Sequence, residues 1–204
     1  MPRTGERGGP QTRARIAEAA ARLFLERGYD KVTVAEVARA AGVSSVTVFN
    51  HFPRKEDLFL DRADDAAELL RSAVRDRDPG VDVRASLREA VGRLVDDRHP
   101  LSGLNDRSIP FFRTVAASPA LVARAREIAA DLQRTLEDEL DRDPSYEGDA
   151  TLLAAFFVAG YGAVLTGAAR RLTAGDPPDD VAADHRDGLA RLFDALDRGL
   201  GPRS

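Results

Sequence analysis

Cysteine is absent from this 204-residue sequence. That excludes disulfides, thiolate nucleophiles and thiolate metal sites, and nothing points to an oxidising compartment. Only three histidines are present, His51, His99 and His185, with no HxH or HxxxH spacing, so neither a metal site nor another cofactor is expected. A G-x-S-x-G elbow and a glycine-rich phosphate loop are also missing, so no nucleophile–base pair can be assembled. The neighbouring carboxylates Asp64-Asp65, Asp96-Asp97 and Asp179-Asp180 diverge on a helix rather than face one substrate. A helical enzyme is therefore a remote alternative, and no catalytic residue is assigned. The N-terminal MPRTGERGGPQTRAR has no apolar run of signal-peptide type behind it, and a cytoplasmic location is expected.

What the sequence does contain is ordinary for a globular protein: 43% apolar and 31% charged residues. The net charge of −4 is unevenly placed. Residues 1–55 hold ten lysines and arginines against five acids, and the rest of the chain twenty against twenty-nine. A basic head on an acidic body confines attraction for polyanions to one end, although clustering on solvated helix faces would produce the same division.

No segment alternates at period two, whereas patterns of period 3.6 recur throughout, so an all-α fold is expected. A first helix over 12–27 carries Ile16, Ala20, Leu23 and Phe24 on one face and ends at Gly28. Thr33 and Glu36 form a capping box ahead of a short second helix that lasts to about Ala41. After Phe52-Pro53 a long helix is expected over 54–77, then one capped by Asp82 and a shorter one opened or kinked by Pro110. Another opens at Ser118-Pro119, and the last two cover 149–173 and 179–199. The chain is expected to divide into a flexible basic arm over 1–11, a domain of short helices over 12–53, and a larger helical domain over 54–204.

The stretch TVAEVARAAGVSSVTVFNHFPRKEDLF divides its helices into pieces too short to persist unsupported. Ala38 and Gly42 suit a close crossing and a tight turn, with Val37, Ala41, Val43, Val48 and Phe52 pointing inward. Ser45, Val46, Asn50 and, at the flank, Thr47 are left facing outward. This is the pattern of a helix-turn-helix, whose second helix enters the major groove, and an ordinary αα-turn is the competing reading.

Over LFLERGYDKVTVAEVARAAGVSSVTVFNHFPRKEDLF the sequence resembles the tetracycline-repressor (TetR) family of bacterial regulators. The resemblance implies nine or so helices: a three-helix N-terminal DNA-binding domain and a helical C-terminal domain for ligand binding and dimerisation. It also implies a homodimer on a near-palindromic double-stranded operator, repressing until an unidentified small-molecule effector releases it. By position, Thr33, Ser44, Ser45, Val46, Thr47, Phe49, Asn50, His51 and Lys55 would form the DNA-binding set. Ser45, Val46 and Asn50 would face base edges, Thr47 and His51 the backbone, and Thr33 and Lys55 phosphates. Phe49 departs from the tyrosine of many relatives, so it would pack on a thymine methyl or sugar or remain core. A ligand-independent regulator with a solid body is the alternative within this class.

Residues 150–169 run for twenty positions without a charge, long enough to span a bilayer. Frequent alanine and glycine and the lack of aromatic belts argue against a membrane. Ala155, Ala159, Ala163 and Gly167 form a ridge of small side chains, expected with Leu189, Leu192, Phe193 and Leu196 to build a four-helix dimer interface. His185 is expected to be an interface histidine. Phe111, Phe112, Phe156 and Tyr161, with His99, Asn105, Arg113 and Thr166, are the candidates for an effector pocket, though aromatic residues at helical spacing also serve as plain core.

Overall fold

The computed structural model describes residues 9–199, and the beginning of the expected basic arm lies outside them. Nine α-helices are present among the described residues, and no strand. They are α1 (Gly9–Arg27), α2 (Val34–Ala40), α3 (Ser45–His51), α4 (Ala63–Arg75), α5 (Val83–Asp96), α6 (Ser108–Ala117), α7 (Pro119–Arg142), α8 (Ala150–Ala174) and α9 (Pro178–Gly199). Two compact units divide the chain: the part up to Asp61 with Arg113–Ala125, and Arg62–Phe112 with the part from Arg126 onward.

In the first unit α1 packs on both α2 and α3, which pack on each other. Ile16, Ala19, Ala20 and Phe24 are buried along one face of α1, while Leu23 is half-buried at its border. The helix begins at Gly9, three residues before Thr12, so positions 9–11 of the expected arm are helical. Gly28 closes it with φ of 86°, a conformation in which a side chain would be strained. Phe24 stands edge-on to Phe59 at 5.8 Å and against Tyr29 at 5.1 Å, and Val32, Val37, Val48, Phe52 and Leu58 are buried in the same unit.

The long helix expected over 54–77 is interrupted. A 3-10 turn spans Glu56–Leu58, and α4 begins only at Ala63. At the break the Asp57 carboxylate accepts from the Arg54 N–H at 3.2 Å, and the Arg13 guanidinium of α1 donates to the Asp61 carbonyl at 3.4 Å.

The second unit has its core on α4, α5, α8 and α9, from Leu70 and Val74 through Leu87 and Val91 to Leu153, Phe157 and Phe193. α4 is tied to α7 by Arg75, which donates two hydrogen bonds of 2.5 Å to the buried Glu139, and just beyond the ends of the two helices Arg77 pairs with Asp143. Burial alone would raise the Asp143 carboxyl, but hydrogen bonds from Ser145 and Arg77 outweigh it and hold the group below its usual range. α8 and α9 approach where glycine allows it: a Cβ on Gly160 would come within 2.3 Å of Leu192, and one on Gly188 within 3.1 Å of Val164.

Candidate nucleic-acid interface

The short helices α2 and α3 exist because their ends are capped locally. The Glu36 N–H donates to Thr33 Oγ1 at 3.3 Å while the Thr33 N–H donates to Glu36 Oε2 at 2.8 Å, completing the capping box. Hydrogen bonds from the Thr33 backbone, with Arg27 2.8 Å away, pull the Glu36 carboxyl down to about 2. The turn follows at once. Gly42 takes φ of 66°, the Val43 N–H returns to the Ala38 carbonyl at 2.9 Å, and Ser44 caps α3 by accepting from the Thr47 N–H at 3.1 Å.

That geometry sorts the side chains of α3. Val48 is fully buried and Phe52 closes the helix inside the core. Val46 is 69% and Phe49 49% exposed, and Asn50 is exposed beside them. Residues i, i+3 and i+4 share a helix face, so Val46, Phe49 and Asn50 form one outward surface. Phe49, which the sequence left between contact and core, is on this surface. Ser45 and His51 flank it, half-buried. The hydroxyls of Ser44 and Thr47 are 2.9 Å apart and bonded to each other, and the Thr33 hydroxyl donates to Glu36 at 2.8 Å.

Lys55 sits apart from this face. Its ammonium donates to the Tyr29 carbonyl at 2.8 Å and stands 4.2 Å from the centre of the Tyr29 ring, a cation–π contact that locks the loop after α1. Burial, then the nearby Glu56, pushes the Tyr29 phenol strongly up.

Three supports of the interface were not anticipated. Arg13 lies 4.3 Å over the Phe52 ring and donates to the His51 carbonyl at 2.7 Å, which holds the last turn of α3. Asp57 and Arg124 form a 2.8 Å ion pair, each about four-fifths buried, between the 56–58 turn and α7. Ser118 donates to Asp30 at 3.4 Å, and Leu121 is fully buried. Only an arginine one turn ahead of Ile16 hinted at the first of these.

The expected effector residues are met in several places among the described residues. A groove of about 750 Å³ runs between α4 and α5, floored by Leu69, Ala73, Ala90 and Leu94, and His99 alone of the expected set lines it. His99 Nδ1 accepts from the Leu101 N–H at 3.2 Å, and Asn105 accepts from the Arg107 N–H at 2.8 Å, so both serve as local caps. Phe111 and Phe112 meet edge to face at 5.5 Å. Tyr161 donates to the Leu101 carbonyl at 2.9 Å, and burial pushes its phenol up to about 12. Arg113 belongs to the first unit. Phe156 is 52% exposed, and Thr166, exposed on the same helix, donates to the Gly162 carbonyl at 2.7 Å.

The expected dimer residues divide in two. Ala159, Ala163 and Gly167 are exposed, with Ala155 half-buried, and nothing lies within 4 Å of a Cβ built on Gly167. Leu189, Phe193 and Leu196 instead face the core of their own unit, with Leu192 packed against it, because α9 turns that stripe towards α5 and α8. His185 likewise is buried by its own chain.

A helix-turn-helix with an outward-facing second helix, in a chain that is otherwise all helical among the described residues, defines the class: a helical protein with a helix-turn-helix domain. Residues 16–61 match the family described as bacterial regulatory proteins, tetR family. The chain is 37% identical over 78 residues to the HTH-type transcriptional repressor Rv1474c of Mycobacterium tuberculosis, covering 38% of this chain and 41% of that one. It is 29% identical over 135 residues to the HTH-type transcriptional regulator TcmR of Streptomyces glaucescens, covering 62% of this chain and 59% of that one. The matched segments span less than two thirds of either relative. Among solved structures, the SmeT–triclosan complex shares the fold with a TM-score of 0.61 at 20% identity, over 91% of both chains.

Proposed function

We propose that the protein is a sequence-specific DNA-binding transcriptional regulator, acting as a homodimer that represses from a near-palindromic operator until a small-molecule effector releases it. The single observation that carries the reading is the α3 surface: a capped, buttressed helix whose Val46, Phe49 and Asn50 face outward and lie in the basic part of the chain. Repression is supported by the Mycobacterium tuberculosis relative, a transcriptional repressor, and an effector by the triclosan in the SmeT complex.

Dimerisation is supported by α8. It is the one described helix long and apolar enough to cross a bilayer, yet only 22% of its most apolar window is buried within the chain. A helix without charge over twenty residues needs cover, and its ridge of alanine and glycine suits a second copy at close approach. A cytoplasmic location accords with this reading.

A regulator without an effector is favoured by one detail. At Gly103 a Cβ would lie 2.5 Å from Leu165 and 2.8 Å from Phe112, so packing is close around Phe112, one of the residues expected to line a pocket.

The test is selection of duplexes from a random library with the full chain, followed by affinity against salt. A single enriched motif, bound about a thousandfold or more tighter than random duplex, is expected. Equal affinity for both at physiological salt would overturn the reading. A metabolite that weakens operator binding must itself bind less tightly in the presence of operator, by the same factor.

A further inference from the structure

Resting on the DNA-binding reading above, we propose that the exposed face of α3 reads A·T base pairs, with Val46 and Phe49 packed on thymine 5-methyl groups and the Asn50 amide paired with adenine. The helix SVTVFNH holds no arginine or lysine, the side chains that grip guanine O6 and N7 in the major groove. What it offers is apolar surface. Val46 and Phe49 are two of the five large hydrophobic side chains exposed among the described residues, and they stand three residues apart on one face. The Ser44 and Thr47 hydroxyls, bonded to each other at 2.9 Å, lie beside this face rather than on it.

The thymine methyl is the apolar group that the major groove presents, and adenine presents an acceptor at N7 beside a donor at N6. An asparagine amide matches that pair with one acceptor and one donor. Along the helix axis Val46 and Phe49 are separated by about 4.5 Å, close to the spacing of about 3.4 Å between successive bases. The two side chains therefore fall on adjacent base pairs. Asn50 follows Phe49 directly and shares the Val46 face, so the readout is one compact A·T patch in each half-site.

The experiment begins with the motif enriched by the full-length protein and replaces each thymine in turn by deoxyuridine, which keeps pairing and removes only the methyl. At the contacted thymines affinity should fall about three- to fivefold, the worth of one buried methyl group. The same substitution should have no effect in Val46→Ala for one position and in Phe49→Ala for the neighbouring one. 5-Methylcytosine opposite guanine at those positions should recover part of the lost affinity relative to cytosine. Replacing the contacted adenine by 7-deazaadenine should weaken binding about tenfold in the wild type and leave Asn50→Ala unaffected. Both alanine variants remove exposed side chains, so their melting temperatures should match the wild type.

A motif whose binding ignores uridine everywhere overturns the inference while leaving the DNA-binding reading intact, and so does a uridine effect that persists in both alanine variants. Failure to enrich any motif overturns both. Loss of self-association in Phe49→Ala with unchanged DNA affinity would make this face a protein contact and sink the inference alone.

Discussion

His185 is buried on α9 with neither ring nitrogen hydrogen-bonded within the protein. Burial, and then the neighbouring Arg186, lower its basicity below the usual 6.5. The folded state therefore resists a proton that the unfolded chain accepts. Stability is full above pH 6.5 and falls as the pH drops below it towards the depressed folded value. His185→Leu should remove that slope, measured as melting temperature between pH 5 and 7, and stabilise the fold by about 1–3 kcal/mol at the acid end by eliminating a buried unpartnered group. An unchanged slope would locate the titration elsewhere. Lys55 poses a different question, because the resemblance assigned it to a phosphate and the structure gives it the Tyr29 carbonyl and ring. Lys55→Met should lower the stability of the first unit by about 1 kcal/mol through the lost hydrogen bond. If the ammonium also meets a phosphate, the slope of log affinity against log salt should shrink by about one unit. A stability loss with an unaltered slope would make the residue structural only.

At the scale of elements, what could be read from the sequence was whatever is decided locally. The Thr33–Glu36 box, the Gly42 turn and the Ser44 cap lie within a few residues of what they stabilise, and each is visible in the order of residues. The break before α4 was not visible, since residues 54–77 keep a helical apolar stripe, and the Arg13–Asp61 contact beside the break spans 48 positions. Nor was the membership of 113–125 in the first unit, because α7 keeps one apolar periodicity while its neighbours change along its length. In α8 small residues occur on several faces, so Gly160, which actually meets Leu192, could not be told from the ridge of Ala159, Ala163 and Gly167. The consequence for coupling is concrete. With the expected long helix interrupted, α6 and α7 are the continuous helices that carry residues of both units, and the Asp57–Arg124 pair anchors α7 within the first. Arg124→Ala leaves Asp57 largely buried without its partner and should destabilise the first unit by about 1–3 kcal/mol. Asp57→Asn with Arg124→Gln should recover part of that loss in a double-mutant cycle. A loss below about 0.5 kcal/mol would place the pair among ordinary surface ion pairs.

For the whole molecule the open question is what covers α8, and Gly167 separates the answers cleanly. A Cβ there meets nothing within 4 Å of its own chain, so leucine is accommodated in one protomer without a clash. Replacing a mid-helix glycine by leucine should even stabilise an isolated protomer, by about 0.8 kcal/mol from helix propensity. In a dimer built on the Ala159–Ala163–Gly167 ridge the same leucine would force two closely packed helices apart, a loss of about 1–3 kcal/mol at each of two symmetry-related positions. Gly167→Leu is therefore expected to shift sedimentation equilibrium towards monomer while its helical content is retained. Affinity for a two-half-site operator should fall with it, and affinity for a single half-site should not, because each recognition helix is untouched and only their linkage is lost. Phe156→Glu, on the same exposed face, should act in the same direction by placing a charge where an apolar ring is half exposed. A wild-type chain that sediments as a monomer at micromolar concentration, or a Gly167→Leu variant that remains dimeric with full operator affinity, would mean that the apolar face of α8 is covered by something other than a second copy.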